Sequence, residues 1–127
     1  MSIVRALINA NLMQKGGKMK ILYIEDNKNI REAGKMLLER KKHNVVARED
    51  TKKALGLACI WEPDLIITDH DLGTDETGLM FAEKAKKRGF KVVMMTGSDV
   101  KEESEALGVP FFSKPCCITD ILKTLAL

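Results

Sequence analysis

Hydrophobic positions recur along this chain with two periods that alternate from one segment to the next. Short apolar and β-branched runs at Lys20–Ile24, Asn44–Arg48, Leu65–Thr68, Lys91–Thr96 and Pro110–Ser113 predict five strands. Between them the spacing is helical. Ile30, Ala33, Gly34, Leu37 and Leu38 recur at i, i+3, i+4, i+7 and i+8, with Asn29 as a cap, Glu32 three residues later, and Arg40, Lys41 and Lys42 in the last turn. A second helix is predicted from about Thr51 to Trp61, burying Ala54, Leu55, Ala58 and Trp61, and Pro63 prevents its continuation. A third runs from Leu79 to Arg88 and stops at Gly89, a short fourth from Val100 to Leu107 is closed by Gly108, and a fifth spans Ile118 to Leu125. Upstream, Ile3, Val4, Leu7, Ile8 and Leu12 lie at helical spacing behind Ser2, a residue type that caps helices, and the run Lys15-Gly16-Gly17-Lys18 ends the pattern. The apolar face of such a helix has to cover either the domain's own surface or a second copy.

Five strands alternating with five helices imply a parallel sheet with helices on both faces, because each crossover is long enough for a helix and right-handed by rule. The expected architecture is a doubly wound (βα)5, flavodoxin-like α/β fold with strand order 2-1-3-4-5. Residues 19–127 form the domain, and residues 1–18 are either an upstream extension or a misassigned start.

That order makes the polar residues at the strand ends informative. Pro63 starts the third strand, whose four consecutive apolar or β-branched residues mark it as covered on both faces, and it runs into Asp69, His70 and Asp71. Glu25 and Asp26 close the first strand, Thr96 the fourth and Lys114 the fifth. With neighbouring strands about 4.8 Å apart, these side chains can converge at the carboxyl edge, where open α/β sheets bind ligands. Glu49 and Asp50 close the second strand at the far edge, roughly 10 Å from the third, and are left out of the site. Like charges about 5 Å apart repel by roughly 3 kcal/mol at an effective dielectric near 20, so the acids need a divalent cation or some stay protonated. The hard oxygen ligands select Mg²⁺, or Mn²⁺, over zinc. An ammonium and a hydroxyl beside a carboxylate nucleophile read as phosphoryl transfer to Asp69.

Composition narrows the class. The chain has 127 residues with 45% hydrophobic and 31% charged content, enough for one domain with its own core, and a net charge of +3 is too small to argue for nucleic acid. No apolar run is long enough to span a membrane and no secretory signal is evident, so a cytoplasmic location is expected. Three cysteines are an odd number, the neighbours Cys116 and Cys117 do not readily pair, and all three are read as reduced thiols. Cys116 and Cys117 also lack zinc-ligand spacing, and the simpler reading is that they open the last helix.

The set Glu25 and Asp26, Asp69, Thr96, and Lys114 with Pro115, each at its strand end, resembles the receiver domain of two-component response regulators over about residues 19–127. The resemblance implies that Asp69 is the phosphoacceptor and that Glu25, Asp26, Asp69 and the backbone carbonyl of Asp71 hold the metal. It implies that Lys114 pairs with the acyl phosphate, that Thr96 moves to bond it, and that Phe111 is the switch aromatic. The expected partners are a histidine kinase or histidine phosphotransfer protein and a downstream protein contacted directly, in a monomer or weak dimer that binds neither nucleic acid nor membrane. No effector domain follows the last helix, so output is expected to pass through a partner. Such a domain catalyses only its own phosphorylation and dephosphorylation.

The chain also departs from the family pattern. The loop after Asp69 is about one residue longer and lacks the customary proline, Glu25 replaces the commoner Asp, and the stretch from Thr96 to Lys114 is short by about a turn of helix. Rival readings stay open. A Toprim-like Mg²⁺-dependent nucleic-acid enzyme would use Glu25 with Asp69 and Asp71, but Thr96 and Lys114 speak against it. A haloacid dehalogenase-like phosphatase would want Thr where Gly73 stands. A pseudo-receiver would bind a partner without phosphorylation.

Overall fold

The computed structural model describes residues 17–125. Strands β1 (Lys20–Ile24), β2 (Asn44–Arg48), β3 (Leu65–Thr68), β4 (Val92–Thr96) and β5 (Phe111–Ser113) alternate with helices α1 (Lys28–Arg40), α2 (Ala54–Trp61), α3 (Gly78–Lys87), α4 (Lys101–Ala106) and α5 (Ile118–Thr124). The strands form one sheet in the order β2-β1-β3-β4-β5, with parallel pairing throughout. This is the expected doubly wound (βα)5 fold. The helix predicted over the upstream apolar positions lies outside the described residues.

Successive side chains of a strand point to opposite faces, and the inner strands are apolar on both. Ile21, Tyr23, Leu65, Ile67, Val93 and Met95 pack one layer with Leu38 of α1 and with Ile118, Ile121 and Leu122 of α5. Leu22, Ile24, Ile66, Val92 and Met94 pack the other with Ala54 and Ala58 of α2 and with Phe81, Ala82 and Ala85 of α3. Small residues on α2 and α3 let those helices sit close to the sheet. On the opposite face Gly34 does the same for α1, because a Cβ there would lie 2.7 Å from Cε2 of Tyr23.

Several local expectations are corrected. Asn27, not Asn29, caps α1: its Oδ1 accepts the Ile30 N–H at 3.0 Å, and the helix begins at Lys28. Ile30 and Ala33 are exposed, bordering a cleft of about 210 Å³ between α1 and the start of α5 that Cys116, Cys117 and Ile118 line from the other side. The second helix begins at Ala54 because the chain first turns at Asp50, whose Oδ1 accepts the Lys52 N–H at 3.0 Å. Trp61 is half-buried and lies 5.9 Å from the Lys20 ammonium. Helix α3 starts one residue early, at Gly78, capped by Thr77, whose hydroxyl accepts the Met80 N–H at 3.2 Å. Helix α4 has six residues, in keeping with the shortened stretch before Lys114.

Candidate functional site

Register places the site. Ile24 pairs with Thr68 across β1 and β3, so the next residues, Glu25 and Asp69, leave the sheet side by side. The backbone holds both: the Glu25 N–H reaches the Arg48 carbonyl at 3.0 Å and the Asp69 N–H the Ile24 carbonyl at 3.0 Å. Glu25 and Asp69 are buried, whereas Asp26 is exposed. Carboxylate oxygens of Glu25, Asp26 and Asp69 lie within 4.8 Å of one another. Glu49 and Asp50 are not in this group; the strand order that puts β2 at the edge explains why.

Lys114 enters from the end of β5. Its backbone N–H donates to the Thr96 carbonyl at 2.9 Å, which aims the side chain across β4 at the acids. The ammonium donates to Glu25 Oε1 at 2.5 Å and to Asp69 Oδ2 at 2.7 Å. Burial pushes the Glu25 carboxyl above its usual range, against the lowering effect of Lys114 and the Asn27 N–H. Burial alone would lower Lys114, but its bonds to Asp69 and Glu25 prevail and hold the ammonium above its ordinary range. Lys114 is therefore charged at neutral pH, and among the described residues it is the cation that pairs with these carboxylates.

The other predicted residues surround this center. Thr96 is fully buried, and its Oγ1 accepts the Ser98 N–H at 3.2 Å. Asp71 is exposed in the loop after β3, where its carboxylate accepts a hydrogen bond from the Ser98 hydroxyl. Its N–H points to Asp69 Oδ1 at 3.4 Å, and the His70 N–H to the same oxygen at 2.6 Å. Phe111 begins β5 opposite Met94 and is half-buried against the second core layer, apart from the acids.

Three contributors were not foreseen from the sequence. The Arg31 guanidinium donates to the carbonyls of Glu25 at 2.8 Å and Asp26 at 3.2 Å, tying the first turn of α1 to the acidic loop. The Asn27 N–H donates to Glu25 Oε2 at 3.1 Å and orients that carboxylate. Gly78 meets the site from behind: a Cβ there would stand 1.7 Å from the Asp69 carbonyl oxygen. A glycine beside a helix cap was the only signal for the last of these, and sequence spacing held none for the others.

A family model described as the response regulator receiver domain matches residues 21–126. The chain belongs to that family. The receiver fold is also that of solved structures. The chemotaxis response regulator CheY4 of Vibrio cholerae is 26% identical, with a TM-score of 0.73, over 84% of this chain and 95% of that one. The receiver domain of Francisella response regulator 1452 is 22% identical, with a TM-score of 0.76, over 85% and 93%. The BeF3-activated receiver domain of Klebsiella pneumoniae RstA is 20% identical, with a TM-score of 0.75, over 84% and 95%. No curated protein matches the chain. As a receiver domain the protein belongs to two-component signalling, and the Toprim-like reading is not favored. Among the described residues no helix is long and apolar enough to cross a membrane.

Proposed function

We propose that this receiver domain takes a phosphoryl group onto Asp69 from a phosphohistidine of a histidine kinase or phosphotransfer protein. The observation that carries the reading is the Lys114 ammonium shared between Asp69 and Glu25 within a cluster of three carboxylates. A carboxylate oxygen of Asp69 attacks phosphorus, the bond to the donor imidazole nitrogen breaks, and the imidazole leaves with the electron pair. Lys114 then exchanges its contact with Asp69 for one with a phosphoryl oxygen, keeping a cation beside the new charge.

The donor set fits a hard divalent cation, since all three acidic side chains offer oxygen and two of them are buried. Glu25, Asp26 and Asp69, with the Asp71 carbonyl, would hold Mg²⁺ or Mn²⁺, which when bound offsets the charge of the phosphoryl oxygens. Asp26, the exposed member, is where solvent reaches the group. Thr96 supplies a hydroxyl at the end of β4, and Phe111 on the neighboring strand carries any change there toward the surface. The domain turns over no separate substrate, and output passes through protein contacts.

Acetyl phosphate with Mg²⁺ tests the reading by intact mass. One added phosphoryl group is expected, lost in Asp69→Ala. An unchanged mass with Mg²⁺ bound would leave a module that recognises its partner without phosphorylation, and nicking of DNA would point to another chemistry.

A further inference from the structure

We propose that Arg31 is a positioning residue for the cation of the acidic cluster: it fixes the main chain at Asp26 so that this exposed carboxylate stays turned toward Glu25 and Asp69. The inference rests on the reading of those three acids as a cation site, and it names a residue that governs the site without touching the metal. The first turn of α1 builds the clamp. Helical side chains lean back toward the N-terminus, so a long one at Arg31 covers the loop that leaves β1. The Arg31 N–H donates to the Asn27 carbonyl at 2.8 Å, and Nη1 donates to the Glu25 carbonyl at 2.8 Å and the Asp26 carbonyl at 3.2 Å. Three successive carbonyls thus end on one residue.

Asp26 is the acid that needs this support. Glu25 is held by Lys114 and the Asn27 N–H, and Asp69 by Lys114 and the His70 N–H. Asp26 is exposed, and its side chain meets that of Glu25, a neighbor that repels it once both are ionised. A carboxylate in that position gains freedom by swinging into solvent unless its backbone is fixed. A cation that finds it swung out must draw it back, and affinity falls by the cost of that ordering.

The charge of Arg31 works in the opposite direction. A guanidinium bonded to the acidic loop repels an incoming divalent cation, so deleting it would tighten binding if electrostatics alone decided the outcome. Both of its side-chain bonds go to main-chain carbonyls, which is the arrangement of a group that sets geometry; the carboxylate oxygens of Glu25 and Asp69 are paired with Lys114 instead. Positioning and charge therefore give opposite signs for one substitution, and the sign identifies the role.

Titration of the full chain with Mn²⁺, followed by the paramagnetic resonance of the free ion, tests it. Arg31→Met is expected to weaken Mn²⁺ binding about tenfold, the low end of what losing a group that holds a metal ligand costs. Arg31→Lys, which keeps an ammonium with donors for the carbonyls, is expected to stay within about threefold of the parent. A cycle with Asp26→Ala separates positioning from a general loosening of the fold: in that background Arg31→Met should no longer weaken Mn²⁺, because the carboxylate it positions is gone. Equal or tighter binding by Arg31→Met, no rescue by lysine, or the same tenfold loss in the Asp26→Ala background would each overturn the proposal while leaving the cation site standing. A parent chain that binds no Mn²⁺ would overturn the cation site itself, and this inference with it.

Discussion

Replacing Lys114 with methionine keeps most of the side chain's bulk and deletes the ammonium that now donates to Glu25 and Asp69 at 2.5 and 2.7 Å. Both carboxylates are buried, at 1% and 6% exposure, so water screens them poorly once the cation is gone. Two charges with oxygens within 4.8 Å of each other repel by about 3 kcal/mol at an effective dielectric near 20. Breaking a buried ion pair by removing one partner costs about 3–5 kcal/mol. The two routes agree at the lower figure, and Lys114 itself keeps partial access to solvent, so about 3 kcal/mol is expected. The assay is urea unfolding at neutral pH in chelator, where the midpoint should fall while the denaturant slope stays unchanged. Adding Mg²⁺ should then stabilise Lys114→Met more than the parent, because no fixed ammonium competes for the acids. A midpoint equal to the parent's in chelator, or equal stabilisation of both proteins by Mg²⁺, would refute the picture of Lys114 as the cluster's internal counter-ion.

Gly78→Ala puts a methyl 1.7 Å from the Asp69 carbonyl oxygen and 2.9 Å from the Cα of His70. The clash is with backbone, so a loss of at least about 1–3 kcal/mol is expected in thermal melts, together with slower labelling of Asp69 by acetyl phosphate. Buried His43 accepts the Met19 N–H through Nδ1 at 3.1 Å, and burial, helped by Lys41, holds its pKa below the ordinary 6.5. The unfolded chain therefore binds the proton more readily, so His43 stabilises the fold fully above about pH 6.5 and less as pH falls through the lowered value. His43→Ala should flatten that slope in urea titrations and cost about 1–3 kcal/mol for the stranded N–H. Asn27→Ala removes the exposed cap bond from the Ile30 N–H, and a loss of about 1 kcal/mol is expected in the same titrations.

The alternation of periods was enough to lay out five strands and five helices, and chain connectivity then dictated their order, because crossover handedness leaves few ways to wind them. Given that order, the convergence of Glu25, Asp26, Asp69 and Lys114 was legible from their places at strand ends, and so was the exclusion of Glu49 and Asp50. Elements misjudged from the sequence were those whose outcome depends on what stands opposite. Asn27 and Asn29 are equally good caps in isolation, and the turn out of β1 chooses between them. Ile30 has the right spacing for the core yet is exposed beside an open cleft between α1 and the segment leading into α5, a neighborhood its own spacing does not record.

Only the tertiary structure could show that Arg31 grips the acidic loop and that Gly78 backs Asp69. Periodicity records which face of an element is buried, a property each segment carries alone. Contacts at element ends join residues far apart in the chain, and their geometry exists only once the sheet has set the register.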